Sequence, residues 1–229
     1  TLQDLLHRRD KGDCPSFNHV VIETSGLADP APILQTLMTD TSIAGRLVLG
    51  GVVTTVDAVT GAGTLTSESI SQKQVAIADR IVLTKLDLVG GAQHALIRRL
   101  AELNAAAPVL CANHGRIDSS SLFGDGLSVP QARSLDLGSW MAEEAHGHSH
   151  AQHHADIQTY AVVRTQPIRA VALTLLLETL SEHCGADLLR LKGIVNIAES
   201  PDQPAVIHGV RMSSMRRFGS SDGHPMIIA

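Results

Sequence analysis

The stretch Val20 to Pro30, VVIETSGLADP, constrains the fold of this chain more than any other. Val20, Val21 and Ile22 are apolar and β-branched without polar alternation, the pattern of a strand covered on both faces in a parallel sheet. Glu23 then falls at the strand's carboxyl end, Gly26 lies in the turn that follows, and Asp29-Pro30 has the residue types that cap and open a helix. Ile33, Leu34, Leu37 and Met38 give that helix its apolar stripe. An acid at a strand tip followed by a flexible glycine suits a nucleotide-hydrolysing site, Glu23 holding Mg²⁺ or its water and the Gly26 amide meeting a terminal phosphate. The same residues also suit a plain strand-to-helix turn in which Glu23 caps or is solvated.

The pattern then repeats. Leu47 to Val56 reads as a second buried strand ending at Asp57, a residue whose type favours capping the next turn over touching a ligand. Ser67 to Asp79 reads as an amphipathic helix through Ile70, Gln74 and Ile77, and Arg80 to Leu83 as a third strand that ends in Thr84-Lys85-Leu86-Asp87. Ala92 to Asn104 is helical by Leu96, Leu100 and Leu103, and Pro108 to Cys111 is a fourth strand opening into Ala112-Asn113-His114-Gly115. Upstream, Leu2, Leu5 and Leu6 predict a helix over Thr1 to Arg9. Strands alternating with helices of this length predict an α/β fold with a parallel sheet built by right-handed crossovers.

From Arg116 to about Ala155 the periodicity is lost to Ser, Gly, Asp and His, the composition of a linker. Beyond it the sequence predicts a strand over Ile157 to Val163, an apolar helix over Ala170 to Leu180, strands over Gly193 to Ile197 and Ala205 to Arg211, and the beginning of another at Met226 to Ile228. That is a smaller α+β unit. The expected organisation is a nucleotide-binding domain over residues 1–115, a linker over 116–155 and a second domain over 156–229.

Composition narrows the function classes. With 229 residues, 44% of them hydrophobic, the chain can bury a sizeable core. A net charge of −5 and only 2% aromatic residues argue against nucleic acid, which wants a basic footprint and stacking rings. No apolar run approaches the ~18 residues that span a bilayer, so no membrane partner is expected. Cys14, Cys111 and Cys184 are odd in number and far apart, as in reduced thiols of a cytoplasmic protein. Of twelve histidines, His146, His148, His150, His153 and His154 crowd into the linker, where such a run can wrap one zinc, cobalt, nickel or copper ion. Glu143, Glu144 and Asp156 flank the tract and could add oxygen ligands. The alternative is a solvated polar linker that binds metals weakly.

Thr84-Lys85-Leu86-Asp87 at a strand's carboxyl end resembles the guanine-reading Asn-Lys-x-Asp motif of GTPases, with Thr in place of Asn. An aspartate two residues beyond a lysine can accept both the ring N–H and the exocyclic amine of guanine, while the lysine stem lies over the base. Ala112 and Asn113 come one strand later, where GTPases present a backbone amide to guanine O6. With the Glu23–Pro30 turn, the histidine tract and Leu188-Leu189-Arg190-Leu191-Lys192-Gly193, the chain resembles the CobW family of GTPases, the zinc-regulated metalloprotein activators and cobalamin-synthesis-related proteins.

The resemblance implies a GTP-dependent metallochaperone delivering zinc, cobalt or a related metal to a client metalloprotein or metal-cofactor biosynthesis enzyme. It implies a P-loop-type GTPase domain followed by a β-rich carboxyl-terminal domain, with self-association possible. Glu23 would position Mg²⁺, Gly26 would sense the γ-phosphate, and Thr84, Lys85 and Asp87 would select guanine. Two family features are missing: no stretch reads Gly-x-x-x-x-Gly-Lys-Ser/Thr, and there is no Cys-x-Cys-Cys motif. The resemblance therefore predicts that the sequence starts inside a longer gene product, that this stretch alone does not turn over GTP, and that the central strand's place is left to self-association or to another strand. Two rivals stand beside this reading. One is a non-enzymatic histidine-rich metal buffer with a vestigial nucleotide site; the other, a nickel-insertion GTPase, is disfavoured by the separate carboxyl-terminal domain.

Overall fold

A computed structural model describes residues 1–90, 93–123, 157, 158, 160, 162–185, 187–210 and 226–228. In chain order the elements are α1 (Leu2–Lys11), β1 (His19–Val21), α2 (Pro30–Thr39), α3 (Thr41–Ala44), β2 (Val48–Gly51), β3 (Val53–Asp57), α4 (Gly61–Ser67) and α5 (Ser69–Ile77). They continue with β4 (Arg80–Thr84), a 3₁₀ turn (Leu86–Leu88), α6 (His94–Leu103), β5 (Val109–Cys111), α7 (Ser119–Phe123), α8 (Ala170–Cys184), β6 (Arg190–Ile197), β7 (Ser200–Val210) and β8 (Met226–Ile228). The strands form a parallel sheet ordered β3-β4-β5, an antiparallel hairpin β6-β7 and a sheet ordered β1-β8-β2. The expected α/β class with a smaller α+β carboxyl-terminal region is the architecture observed. By contacts the chain divides into two compact units, Thr1–Val21, Pro30–Leu49 and Val162–Ile227, and Ile22–Asp29, Gly50–Ala161 and Ile228–Ala229.

The second of these units is built on β4, whose Ile81, Val82 and Leu83 are buried. Around them gather Val56 of β3, Leu65 of α4, Val75 of α5 and the Leu96, Leu100 and Leu103 stripe of α6. Each such side chain contributes roughly 1.5–3 kcal/mol on leaving water. Gly61, which opens α4, is needed for this packing: a Cβ there would lie 2.7 Å from Val56 Cγ1. Among the described residues the buried polar one is Asn104, at the end of α6. Its amide donates to the carbonyls of Val75 at 2.8 Å, Ala76 at 3.3 Å and Ala78 at 2.9 Å. These carbonyls lie at the end of α5 and its cap, where the helix itself leaves acceptors short of donors; only the Val75 carbonyl also takes a local amide, that of Ala78 at 3.2 Å.

In the first unit, α1 carries a capping box between Thr1 and Asp4, buries Leu6, and ends on Gly12 at φ +75°. Arg46 ties the α3–β2 junction back to α1 through the Asp10 carboxylate and the Leu6 carbonyl. α2 buries Ala31, Leu34 and Leu37, with Ile33 and Met38 half-buried at the edges of that stripe.

Several sequence expectations need correction. The strand expected over Val20–Ile22 is His19–Val21; Val21 is 63% exposed rather than covered on both faces, because β1 is an outer strand of its sheet. The run Leu47–Val56 is two strands, since Asp79 breaks it at Val52: its carboxylate accepts the Val52 amide at 2.8 Å while its own amide donates to the Val52 carbonyl at 2.7 Å. The helix expected over Ser67–Asp79 is α5 alone, preceded by the separate α4, whose glycines and threonines hide it from propensity. No strand covers the described residues of Ile157–Val163, where Tyr160 and Val162 are almost fully exposed. The expected linker contains the turn ending at Arg116 and the short helix α7, whose start Asp118 caps through Ser120. β8 lies between β1 and β2.

Replacing Asn104 with Ala removes the side-chain donor shared by the carbonyls of Val75, Ala76 and Ala78. It should lower unfolding free energy by about 1–3 kcal/mol, read from denaturant midpoints with an unchanged slope.

Candidate functional site

The chemistry-bearing residues of the second unit collect at the carboxyl ends of β3, β4 and β5. The β3–β4 ladder runs in register from Val53–Arg80 to Asp57–Thr84, so Asp57 and Thr84 are its last rung. The rung is tied off by the Ala58 amide, which donates to the Thr84 carbonyl at 2.9 Å, and by the Thr84 hydroxyl, which donates to the Val56 carbonyl at 3.3 Å. Lys85 then turns sharply with φ +58°, a left-handed conformation that costs a side-chain-bearing residue roughly 1–2 kcal/mol. The 3₁₀ turn Leu86–Leu88 follows, closed by the Leu88 amide on the Lys85 carbonyl at 3.1 Å.

Asp57 occupies this tip with both oxygens. Oδ1 accepts the amides of Val59 at 2.7 Å and Thr60 at 3.3 Å, the cap anticipated for an aspartate here. Oδ2 accepts from the Lys85 ammonium at 2.6 Å. The Lys85 bond above all, with the Val59 amide second, holds the Asp57 carboxyl below the usual carboxylate range. Across the tip, His114 Nδ1 lies 3.6 Å from Asp87 Oδ2. His114 and Gly115, at φ +49° and +71°, are the central residues of a tight turn in which Asn113 and Arg116 exchange backbone bonds of 3.2 and 2.9 Å. Ala112 is buried and its amide donates to the Leu83 carbonyl at 2.9 Å. The amides of Ala112 and Asn113 are thus engaged, and the turn's amides outside this pairing are those of His114 and Gly115.

Glu23 and Gly26 stand on the loop Ile22–Asp29, and both are exposed. A Cβ at Gly26 would meet nothing within 4 Å, so there is room beside this backbone for a ligand group. α5 holds the loop: Gln74 donates to the carbonyls of Gly26 and Ala28, each at 3.0 Å, and Lys73 pairs with Asp29 at 3.6 Å. Sequence reasoning missed the Asp57–Lys85 pair, His114 and the Gln74 clasp. The available signal for Gln74 was a polar residue sitting in a stripe otherwise filled by Ile70 and Ile77.

The histidine tract, His146, His148, His150, His153 and His154, lies outside the described residues, as do Glu143, Glu144 and Asp156. Among the described residues no group of three or more His, Cys, Asp or Glu is placed to hold a metal ion, and no helix is long and apolar enough to cross a membrane. Arg190 and Lys192 alternate on β6, opposite Val210 and His208 of β7. Burial pulls the Lys192 ammonium down to about 7.

A parallel sheet whose strand tips gather an aspartate, a lysine and a tight glycine turn has the geometry of a nucleotide-binding protein. Residues 1–111 match the family described as CobW/HypB/UreG, nucleotide-binding domain, and residues 157–221 match the cobalamin synthesis protein CobW carboxyl-terminal domain. The zinc chaperone YjiA of Escherichia coli is 36% identical over 203 residues, 88% of this chain and 61% of that protein. The zinc-regulated GTPase metalloprotein activator 1 of Schizosaccharomyces pombe is 33% identical over 115 residues, 49% of this chain and 27% of that one. The crystal structure of Zn(II)-bound YjiA GTPase from E. coli superposes with a TM-score of 0.68 at 31% identity, covering 98% of this chain and 68% of that one. The chain belongs to the CobW family.

The depressed Asp57 carboxyl makes a pH prediction. Its contribution to stability is fully present above the unfolded carboxylate value of about 3.9 and is lost as pH falls through the lower folded value. The stability difference between the native protein and Asp57→Asn should therefore be constant near neutrality and shrink on acidification below about pH 4, measured by denaturation at both ends of that range.

Proposed function

We propose that the protein is a GTP-dependent metallochaperone of the CobW type, handling zinc or a related ion such as cobalt or nickel. The observation that carries this reading is the tip where Asp57 fixes Lys85 at 2.6 Å beside Asp87. Asp87 accepts the two N–H groups of guanine, the Lys85 stem covers the base, and the turn after Ala112 and Asn113 brings an amide to its O6. Asp87 is one-quarter exposed, so a base can reach it. Thr84 fixes the strand end. On the other loop, Glu23 takes Mg²⁺ or its water and Gly26 faces the γ-phosphate; Mg²⁺ neutralises charge on the phosphates when bound. Zinc is cargo, taken by the histidines at 146, 148, 150, 153 and 154 in the segment joining a domain over 1–115 to one over 156–229. Nucleotide state alters metal affinity or docking of a client metalloprotein. A cytoplasmic setting accords with the three cysteines being free thiols.

Two measurements test the two halves of this reading. In protein expressed from the complete reading frame, Asp87→Asn should cut the preference for GTP over ATP at least tenfold, because the amide sets a donor against guanine's donors. Equal binding of the two nucleotides by the unaltered protein defeats the guanine assignment. Replacing His146, His148 and His150 together with Ala should weaken zinc or cobalt binding in calorimetry, and unaltered binding should weaken below about pH 6 as imidazoles protonate. Unchanged stoichiometry and affinity after the triple replacement would exclude the tract as the cargo site.

A further inference from the structure

We propose that Asp57 is a positioning residue for base recognition: it couples the end of β3 to the Lys85–Asp87 turn, so that the purine-facing groups are ordered before nucleotide arrives. The proposal rests on the reading of Thr84–Asp87 as the guanine-facing turn.

The Lys85 side chain is 56% exposed and ends in an ammonium on a flexible stem, so by itself it would sample many rotamers. Binding a base against such a side chain costs the entropy of ordering it. Here it is already held, at 2.6 Å, by a carboxylate whose own freedom is removed by the Val59 and Thr60 amides on its other oxygen. The anchor is backbone, since Asp57 is the last residue of β3 in register with Thr84, the residue before Lys85. The restraint matters at this point in the chain because Lys85 sits in the left-handed region with φ +58°. Relaxing that turn would move Asp87, two residues on, as well as the lysine. A carboxylate is required for the whole arrangement, as one oxygen must satisfy amide donors while the other faces a cation. The lowered Asp57 carboxyl agrees with the ionised form at neutral pH.

Asparagine separates this role from capping. Asp57→Asn keeps an amide oxygen for Val59 and Thr60 but turns an N–H₂ toward the lysine, whereas Asp57→Ala removes both functions. If the residue only caps, Asn should behave as the native protein and Ala alone should suffer. If it positions Lys85, both variants should lose about tenfold in affinity for fluorescent GDP and GTP, with the guanine-over-adenine ratio falling in parallel. The Asn variant should also keep a native far-ultraviolet spectrum and a single cooperative melting transition, displaced only by the lost Asp57–Lys85 pair.

A second readout requires no nucleotide: acylation of Lys85 by an amine-reactive ester, followed by peptide mass spectrometry. Labelling of Lys85 relative to the other lysines should rise several-fold in Asp57→Asn. Native guanine affinity and selectivity in Asp57→Asn, or Lys85 labelling equal in the two proteins, overturns the proposal while leaving the guanine reading standing. A native protein, expressed from its complete reading frame, that does not distinguish guanine from adenine nucleotides overturns that reading and this assignment with it.

Discussion

The parallel ladder between β3 and β4 ends on Asp57 and Thr84, and the geometry of the strand tips depends on where that last rung stops. Ile81, Val82 and Leu83 fix β4 in the core, so its end is not free to slide. A slip of one residue would turn all of these buried side chains to the opposite face. The chain must therefore leave the sheet at Thr84 and turn at once, which puts the left-handed conformation on Lys85 and the carboxylate of Asp87 two residues beyond it. The same ladder delivers Asp57 opposite that turn. Core packing and the placement of the charged residues are in this sense a single constraint.

The loop Ile22–Asp29 is attached in a different manner. Among its ties to α5 are two hydrogen bonds from one glutamine amide and an ion pair of 3.6 Å whose partners are partly exposed. Neutral hydrogen bonds each contribute about 0.5–1.5 kcal/mol net, and a pair of that exposure contributes about 0–1 kcal/mol. Those ties are individually weak, whereas moving the Thr84–Asp87 turn would disturb the core. On the proposed function, a strand tip fixed by the core would read the base and the separately attached glycine loop would sense the phosphate.

Much of this was legible in the sequence because it follows from apolar periodicity. Leu96, Leu100 and Leu103 declared the buried face of α6, and the unbroken apolar run to Leu83 declared a central strand. What the sequence hid came from side chains acting across long separations. Asp79 breaks the run Leu47–Val56 from 27 residues away, through the Val52 amide, and no local pattern announces it. Asn104 closes α5 from a similar distance. α4 was invisible because glycine and threonine are poor helix formers, and its place is set by the close approach of Gly61 to Val56. At the site, residue types and order were readable, but Asp57 was read as a cap in preference to a ligand contact, and its pairing with Lys85 was not foreseen, because sequence shows one neighbour at a time. Its second oxygen has a partner 28 residues later.

That second partner bears on the threonine at a position where the related motif has asparagine. An asparagine amide could brace neighbouring loops with two donors, and Thr84 has one hydroxyl, which is already given to the Val56 carbonyl inside the ladder. The brace has to come from elsewhere in the tip. Asp57 supplies it from the adjacent strand: its amide-capped oxygen is fixed to the start of α4 and its other oxygen to Lys85. Besides the backbone bonds of Ala58 and Leu88, the hydroxyl of Thr84 secures the strand end and the carboxylate of Asp57 secures the lysine.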